Sequence, residues 1–394
     1  MTSFKRSAIK EGIMKCVYAD QVYTGTSVLK GRYILFSGKT IFGISKAPKG
    51  DLLGKFDTIT PAFVDPHSHI GMERAGEPGA EGETNESLDS ILALTDALDS
   101  VQMDDVSFQD AVEMGVLYSC VVPGSGNLIG GMSAVIRNYA KNTTEALVSR
   151  AGLKAALGYN PMSTQAWKGK RPSTRMGSFA LLRAKLDEVT RKIKSHREAK
   201  GAKKKEIVFT AGEQVLRNVL TGKLRLRIHI HKIDDIAAAL RLVDEYKLKI
   251  TVEHAADVHQ PEILNELKKR RIPVTFGPID AFSYKVELKH ENWRNIAHLM
   301  SSGVDYGLMT DHPVIPARML FVQTRWFTRL GLSKQQAIEL VSLKNAKLLG
   351  IDRFLGSIRK GKWASFICWN GDPFNLMSYP TAVYGEGSLV FADD

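Results

Sequence analysis

The chain has 394 residues, and that length buries a large core and fits one big domain with a minor one. Hydrophobic residues make up 44% and no apolar run reaches about 18 residues, so the reading is an ordered globular protein without a membrane span. Net charge is +12, much of it in two local runs, Lys168 to Arg175 and RKIKSHREAKGAKKK from Arg191 to Lys205. A basic run with no interleaved aromatics reads as a wet helix end, not a nucleic-acid site, although it favours anionic substrates by steering.

The N-terminal stretch MTSFKRSAIKEGIMKC has no continuous apolar segment, which argues against a secretory signal and for a cytoplasmic location. From about residue 13 to 60 the text is short strands and turns. From residue 61 to about 350 short apolar strands alternate with amphipathic stretches. The strands are TPAFVDPH, VLYSCVVPG, GLKAALG, LRLRIHIH, KITVEHA, IPVTFGP and VDYGLMTDH; DDIAAALRLVDEYK and SKQQAIELVSLKNAKLLG are typical helices. Such alternation predicts parallel strands with crossover helices, an α/β chain closed as a (β/α)8 TIM-like barrel. After residue 356 strands return, so residues 1–60 and 351–394 are expected to form a small β-sandwich domain beside a barrel domain of residues 61–350. Cys16, Cys120 and Cys368 are far apart and odd in number, which suits a reducing compartment and gives no metal-ligand spacing.

The strongest local signal is Asp65-Pro66-His67-Ser68-His69. Residues i and i+2 of a strand share a side, so His67 and His69 can meet one ion, at the strand end where barrel active sites are built. Of the ten histidines, five end strands in the alternating region: these two, His229, His231 and His254. Asp311 ends VDYGLMTD and is followed by His312. Imidazole suits Zn and Fe, and coordination relieves the cost of burying such groups.

This ordering resembles the amidohydrolase superfamily, and more narrowly its imidazolonepropionase-related branch. The matching text runs VDPHSHIGMERAG, EGETNE, VVPGSGNLIGG, GLKAALGYNP, PSTRMG, RIHIHKIDDI, VEHA, Gly277-Pro278, TDHPV and LGSIRKGKWASFICWNGDPF. The resemblance implies metal ligands at His67, His69, His229 and His254, with Asp311 binding metal or its water and shuttling the proton. His231 stands as an alternative ligand or a catalytic group that polarises a carbonyl. One or two divalent ions are implied, Zn first, with Fe and Mn as the other choices. Where relatives of the branch read Gly-Glu-Asn-Pro, this chain has Gly158-Tyr159-Asn160-Pro161, which favours a mononuclear site and places Tyr159 among the substrate-contacting candidates. Lys154, the other bridging candidate as a carbamate, is expected near the start of its strand and therefore at the wrong end.

Arg171 and Arg175 are the candidates to pair a substrate carboxylate, and His312, like His231, is placed to polarise a substrate carbonyl. The acidic, glycine-rich loop Glu73 to Glu86 reads as a lid or a surface loop, and the glycines of Val122 to Gly131 as a backbone cradle for an anion or carbonyl. The expected function is metal-dependent hydrolysis of an amide or cyclic amide C–N bond in a small molecule. The alternatives are a deaminase on the same scaffold or a catalytically degenerate binding protein. A homodimer is a common state for such soluble enzymes.

Overall fold

A computed structural model describes residues 13–162, 171–281 and 285–393. The N-terminal stretch read against a secretory signal lies mostly outside them, as do the start of the first basic run and the Lys203 side chain of the second. Among the described residues, fifteen strands fall into two sheets. Four come first: β1 (Lys15–Tyr23), β2 (Val28–Ser37), β3 (Thr40–Ser45) and β4 (Asp51–Pro61). Eight follow: β5 (Phe63–Ser68), β6 (Val116–Val121), β7 (Ile129–Arg137), β8 (Leu147–Ala156), β9 (Leu226–Ile230), β10 (Ile250–His254), β11 (Val274–Phe276) and β12 (Tyr306–Leu308). Three close the chain: β13 (Phe366–Trp369), β14 (Pro380–Gly385) and β15 (Ser388–Ala392).

The terminal strands form one seven-stranded sheet in the order β15-β14-β13-β4-β1-β2-β3, where the sequence suggested a sandwich of two layers. This sheet curls over its own core. Phe36 on β2 and Phe366 on β13 lie three strands apart, about 14 Å on a flat sheet, yet their rings are 5.5 Å apart. Val17, Ile34, Ile59, Phe366 and Cys368 fill the space between, so both ends of the chain feed one small core.

The middle strands form a nearly closed eight-stranded barrel sheet in chain order, from β5 to β12. Its strands are parallel except β7, which runs antiparallel to both β6 and β8. Sequence reading missed β7 because its first residues, Ile129 to Gly131, belong to the glycine-rich segment taken for a loop. A parallel crossover needs a dozen or more residues, and the short β6–β7 connection can only turn back as a hairpin. Elsewhere the alternation holds. The helix Ile233–Tyr246 buries Ile236, Ala239, Leu240 and Val243, one stripe of a 3.6-residue period, and ends on Lys247 in left-handed backbone. The helix Arg175–Glu198 carries the start of the second basic run at its end, as a solvated terminus should.

No ladder joins β12 to β5, the two ends of the sheet order, and the seam is closed by other means. Asp311 N–H donates to His67 O at 3.1 Å and His69 N–H to His312 O at 2.9 Å. Below them Asn345 is fully buried; its amide nitrogen donates to Val64 O at 2.6 Å and Leu308 O at 2.8 Å, while its oxygen accepts from Leu308 N–H at 3.0 Å. Gly307 is required here, since a Cβ would stand 2.0 Å from the Asn345 oxygen. Among the described residues no helix is long and apolar enough to cross a membrane.

Asn345→Ala would leave three buried main-chain groups unpaired, so it is expected to cost about 3 kcal/mol or more in urea unfolding. A loss below about 1 kcal/mol would show that the seam does not depend on this side chain.

Candidate metal centre

The sheet order brings strand ends that are far apart in sequence to one mouth of the barrel. His67 lies in β5 with His69 just past it; His229 lies in β9 with His231 just past it; His254 ends β10, and Asp311 follows β12. Their donor atoms fall into two groups, His67–His69–Asp311 and His229–His231–His254, each within 4.8 Å. The groups adjoin, with the His67 and His254 rings 5.0 Å apart and His254 Nδ1 3.9 Å from Asp311 Oδ2. His254 (φ +77°) and Asp311 (φ +52°) hold left-handed backbone, which costs roughly 1–3 kcal/mol each and recurs where a site dictates side-chain direction.

Hydrogen bonds fix which ring nitrogens are free. His69 Nδ1 is 2.8 Å from Val122 O and His254 Nδ1 is 3.0 Å from Gly277 O. A carbonyl only accepts, so each Nδ1 donates and each Nε2 keeps its lone pair. His67 Nδ1 likewise meets Glu253 Oε2 at 2.7 Å. Yet His67 Nε2 and His69 Nε2 stand 3.3 and 3.2 Å from Asp311 Oδ1. Three lone-pair bearers thus face one another in a buried space, an arrangement that a divalent cation satisfies. Among the described residues, His67 Nε2, His254 Nε2 and both nitrogens of His231 are buried without hydrogen-bond partners, which fits the same donor chemistry. Burial, and then the neighbouring imidazoles, hold His229 and His254 well below the usual histidine range, and burial brings His231 down to about 4. All three are neutral at pH 7, as ligands must be.

Several participants were not legible in the sequence. Glu253 is fully buried, orients His67 and accepts from Arg227 Nη2 at 2.9 Å, while the same nitrogen donates to Pro66 O at 2.6 Å. A signal existed: charged residues inside the apolar runs LRLRIHIH and KITVEHA. Asp65 accepts from the backbone of His67 and Thr310, both at 3.3 Å, and from the Thr310 hydroxyl; burial raises its carboxyl to about 7. Glu287 lies in the turn Val286–Leu288 after β11, with Oε1 3.6 Å from His229 Nε2 and 3.9 Å from His231 Nε2. Nothing around it in sequence is periodic or histidine-rich, so no signal marked it.

The expectation for Lys154 is overturned. Its strand begins at Leu147 and ends at Ala156, so Lys154 lies near the C-terminal end, facing the site instead of the far end. It is 1% exposed, donates from Nζ to Pro123 O at 2.9 Å, and burial lowers its amine to about 8. The misplacement arose because the strand was read from GLKAALG alone, while the preceding residues pair with β7 and lengthen it.

The flanking candidates are differently engaged. Arg175 forks onto Asp235 at 2.6 and 2.9 Å, and Arg171 donates to the carbonyls of Gly126 and Asn160, both at 2.8 Å. Tyr159 is 46% exposed, and its backbone N–H donates to Glu287 Oε2 at 2.9 Å. His312 is buried with Nδ1 accepting from Ala317 N–H at 3.2 Å, and burial lowers it to about 4. It borders a cavity of about 310 Å³ whose other walls include Glu73, Arg74 and Pro78 of the acidic loop. That loop is tied down, since Thr84 O accepts from Gly124 N–H at 2.7 Å and Asn85 Oδ1 from Gly126 N–H at 2.7 Å.

A family model described as the amidohydrolase family matches residues 58–390. The amidohydrolase tasK of Hapsidospora irregularis is 25% identical over 359 residues, 85% of this chain and 36% of that protein. An imidazolonepropionase of Picrophilus torridus is 24% identical over 171 residues, 42% of this chain and 41% of that protein. The chain thus spans well under half the length of the curated relatives it matches. Among solved structures, an amidohydrolase from Thermotoga maritima MSB8 superposes with a TM-score of 0.88 at 31% identity, covering 96% of this chain and 100% of that one.

The four depressed histidines set a pH dependence. Their unfolded value is about 6.5, so below it the unfolded chain binds more protons than the folded one. Stability of chelator-treated protein should be full above about pH 6.5 and fall as pH drops toward 4. Asp65, raised to about 7, runs the other way, one group against four. Urea midpoints that stay flat or rise between about pH 7 and 4.5 would contradict burial of neutral imidazoles.

Proposed function

The chain belongs to the amidohydrolase family, and from that premise we propose that it is a metal-dependent hydrolase of a C–N bond, amide or cyclic amide, in a small molecule. One observation carries the reading: five imidazoles and one carboxylate converge at the barrel mouth with buried ring nitrogens that no group among the described residues satisfies. His67, His69, His229 and His254, with Asp311, would hold one or two divalent ions, zinc being the ion that this nitrogen-and-oxygen set suits best. A bound divalent ion supplies a more acidic water and a polarised substrate carbonyl.

The chain's own groups do the rest. Asp311, whose Oδ1 stands 3.3 Å from His67 Nε2 and 3.2 Å from His69 Nε2 at the metal position, accepts the proton of the attacking water. The same oxygen then delivers that proton to the departing nitrogen. The buried Arg227–Glu253 pair holds the His67 ring with Nδ1 protonated and Nε2 toward the site, which keeps the imidazole a donor of its lone pair. His312 and Tyr159 border the opening and are the candidates for substrate contact. Arg175 is already ion-paired with Asp235, which leaves it a positioning role in this scheme.

Elemental analysis of protein purified without chelator should find one or two equivalents of Zn, Fe or Mn per chain, with metal lost in His67→Ala. No metal even after reconstitution would refute the hydrolase reading and favour a degenerate binding protein. Asp311→Asn should lower turnover of an N-acyl amino acid, dipeptide or cyclic amide by about 10²–10⁴-fold. Release of ammonia in place of an amine and an acid would assign a deaminase instead. Glu253→Gln should weaken metal binding by about 10–100-fold in chelator competition, and unchanged affinity would remove Glu253 from the scheme.

A further inference from the structure

Resting on the metal reading above, we propose that Glu287 is a metal ligand, and that with His229, His231 and His254 it forms a second cation position beside the one offered by His67, His69 and Asp311. The turn that carries it points outward on one side and inward on the other. Val286 is exposed, whereas Glu287 is 1% exposed and turned into the barrel mouth. A carboxylate buried that deeply requires compensation. Its Oε2 accepts the Tyr159 N–H at 2.9 Å. Around Oε1 are the Asn160 amide nitrogen at 3.3 Å, in the orientation that also places the amide oxygen on Lys285 Nζ at 3.1 Å, and two histidine nitrogens. Arg175 and Lys285 add cationic charge nearby, yet among the described residues the hydrogen bonds to this carboxylate are one N–H and one long amide contact.

The histidine distances carry the assignment. Oε1 lies 3.6 Å from His229 Nε2 and 3.9 Å from His231 Nε2, too far for hydrogen bonds. Two donors that each sit about 2.0–2.2 Å from one tetrahedral ion are roughly 3.3–3.5 Å apart, so a small contraction closes this set on a cation. His231 gives an independent sign. It is buried, yet neither ring nitrogen has a hydrogen-bond partner among the described residues. Its ring lies 4.7 Å from that of His229 and 4.6 Å from that of His254. Gly158 keeps the approach open, because a Cβ there would stand 2.8 Å from Glu287 Oε2. Three imidazoles and a carboxylate are a donor set for zinc or a similar divalent ion.

A further group, Asp257, His259 and His290, has the same residue types and does not support the same argument. There the carboxylate already accepts from the His290 backbone and lies 3.3 Å from its ring nitrogen and 3.8 Å from Lys232 Nζ. Among the described residues, Glu287 accepts only from the Tyr159 N–H and the Asn160 amide. The carboxylate that Tyr159 does not supply from the loop after β8 is thus contributed by the loop after β11.

The test is Co(II) titration of the metal-stripped full chain, read by visible absorption and by elemental analysis after dialysis. Native protein is expected to bind two equivalents. Glu287→Gln keeps an oxygen for the Tyr159 N–H and should lose one equivalent, or weaken one position about 100-fold, with an unchanged far-ultraviolet spectrum in the stripped state. His67→Ala should lose the other position. Two equivalents at native affinity in Glu287→Gln would overturn the proposal, as would a single equivalent in native protein that His67→Ala abolishes. No cobalt binding at all would overturn this proposal and the metal reading together, whereas two bound ions without hydrolysis of any amide would overturn only the function. Should the glutamine variant fail to fold, zinc-soaked native crystals decide: an anomalous peak within about 2.2 Å of a Glu287 oxygen is expected, and none within about 3 Å overturns the assignment.

Discussion

The seam between β5 and β12 is where this fold and its site depend on the same few hydrogen bonds. The barrel sheet does not close by a strand ladder there, so two backbone bonds, the Asn345 amide and the Asp65–Thr310 contact hold its edges together. The two backbone bonds run between His67 and Asp311 and between His69 and His312. Closing the barrel and assembling the His67–His69–Asp311 group are therefore one event. Asn345 follows a wide turn of the helical segment at Leu340–Lys344, a local departure from the regular helix just before the residue that reaches the seam.

A second layer of buried charge lies behind the ligands. Arg227 and Glu253 are both nearly inaccessible, and each would be costly alone. Together they are paired, and the carboxylate has a hydrogen-bond donor left to satisfy it in the His67 ring. Lys154 belongs to the same interior, with its amine on Pro123 O. Such a set is retained where it holds a ring in one orientation, since an apolar replacement of equal volume would pack as well and orient nothing.

The candidate site was partly legible. His67, His69, His229, His231, His254 and Asp311 all stand at or just past the ends of short apolar runs, a pattern visible in one dimension because strand ends in a barrel share one mouth. Glu253 and Arg227 carried a weaker signal as charges inside those runs. Glu287 carried none, because it sits on a short turn whose relation to β9 is set by the barrel and not by spacing. Lys154 was misplaced because its strand begins five residues earlier, at Leu147 and not at Gly152, which is enough to move a side chain from one end of a barrel to the other.

The sequence by itself determined the strand-and-helix alternation, the β-rich ends and the six residues at strand ends, because periodicity and apolar runs are local properties of the chain. Tertiary structure decided the rest. The reversal of β7 followed from a connection too short for a crossover, and the single curled terminal sheet from pairing between segments some three hundred residues apart. Which carboxylates face the histidines, and which arginines are already paired, depended on distances across the barrel. Those distances are fixed by closure of the sheet, and no spacing along the chain encodes them.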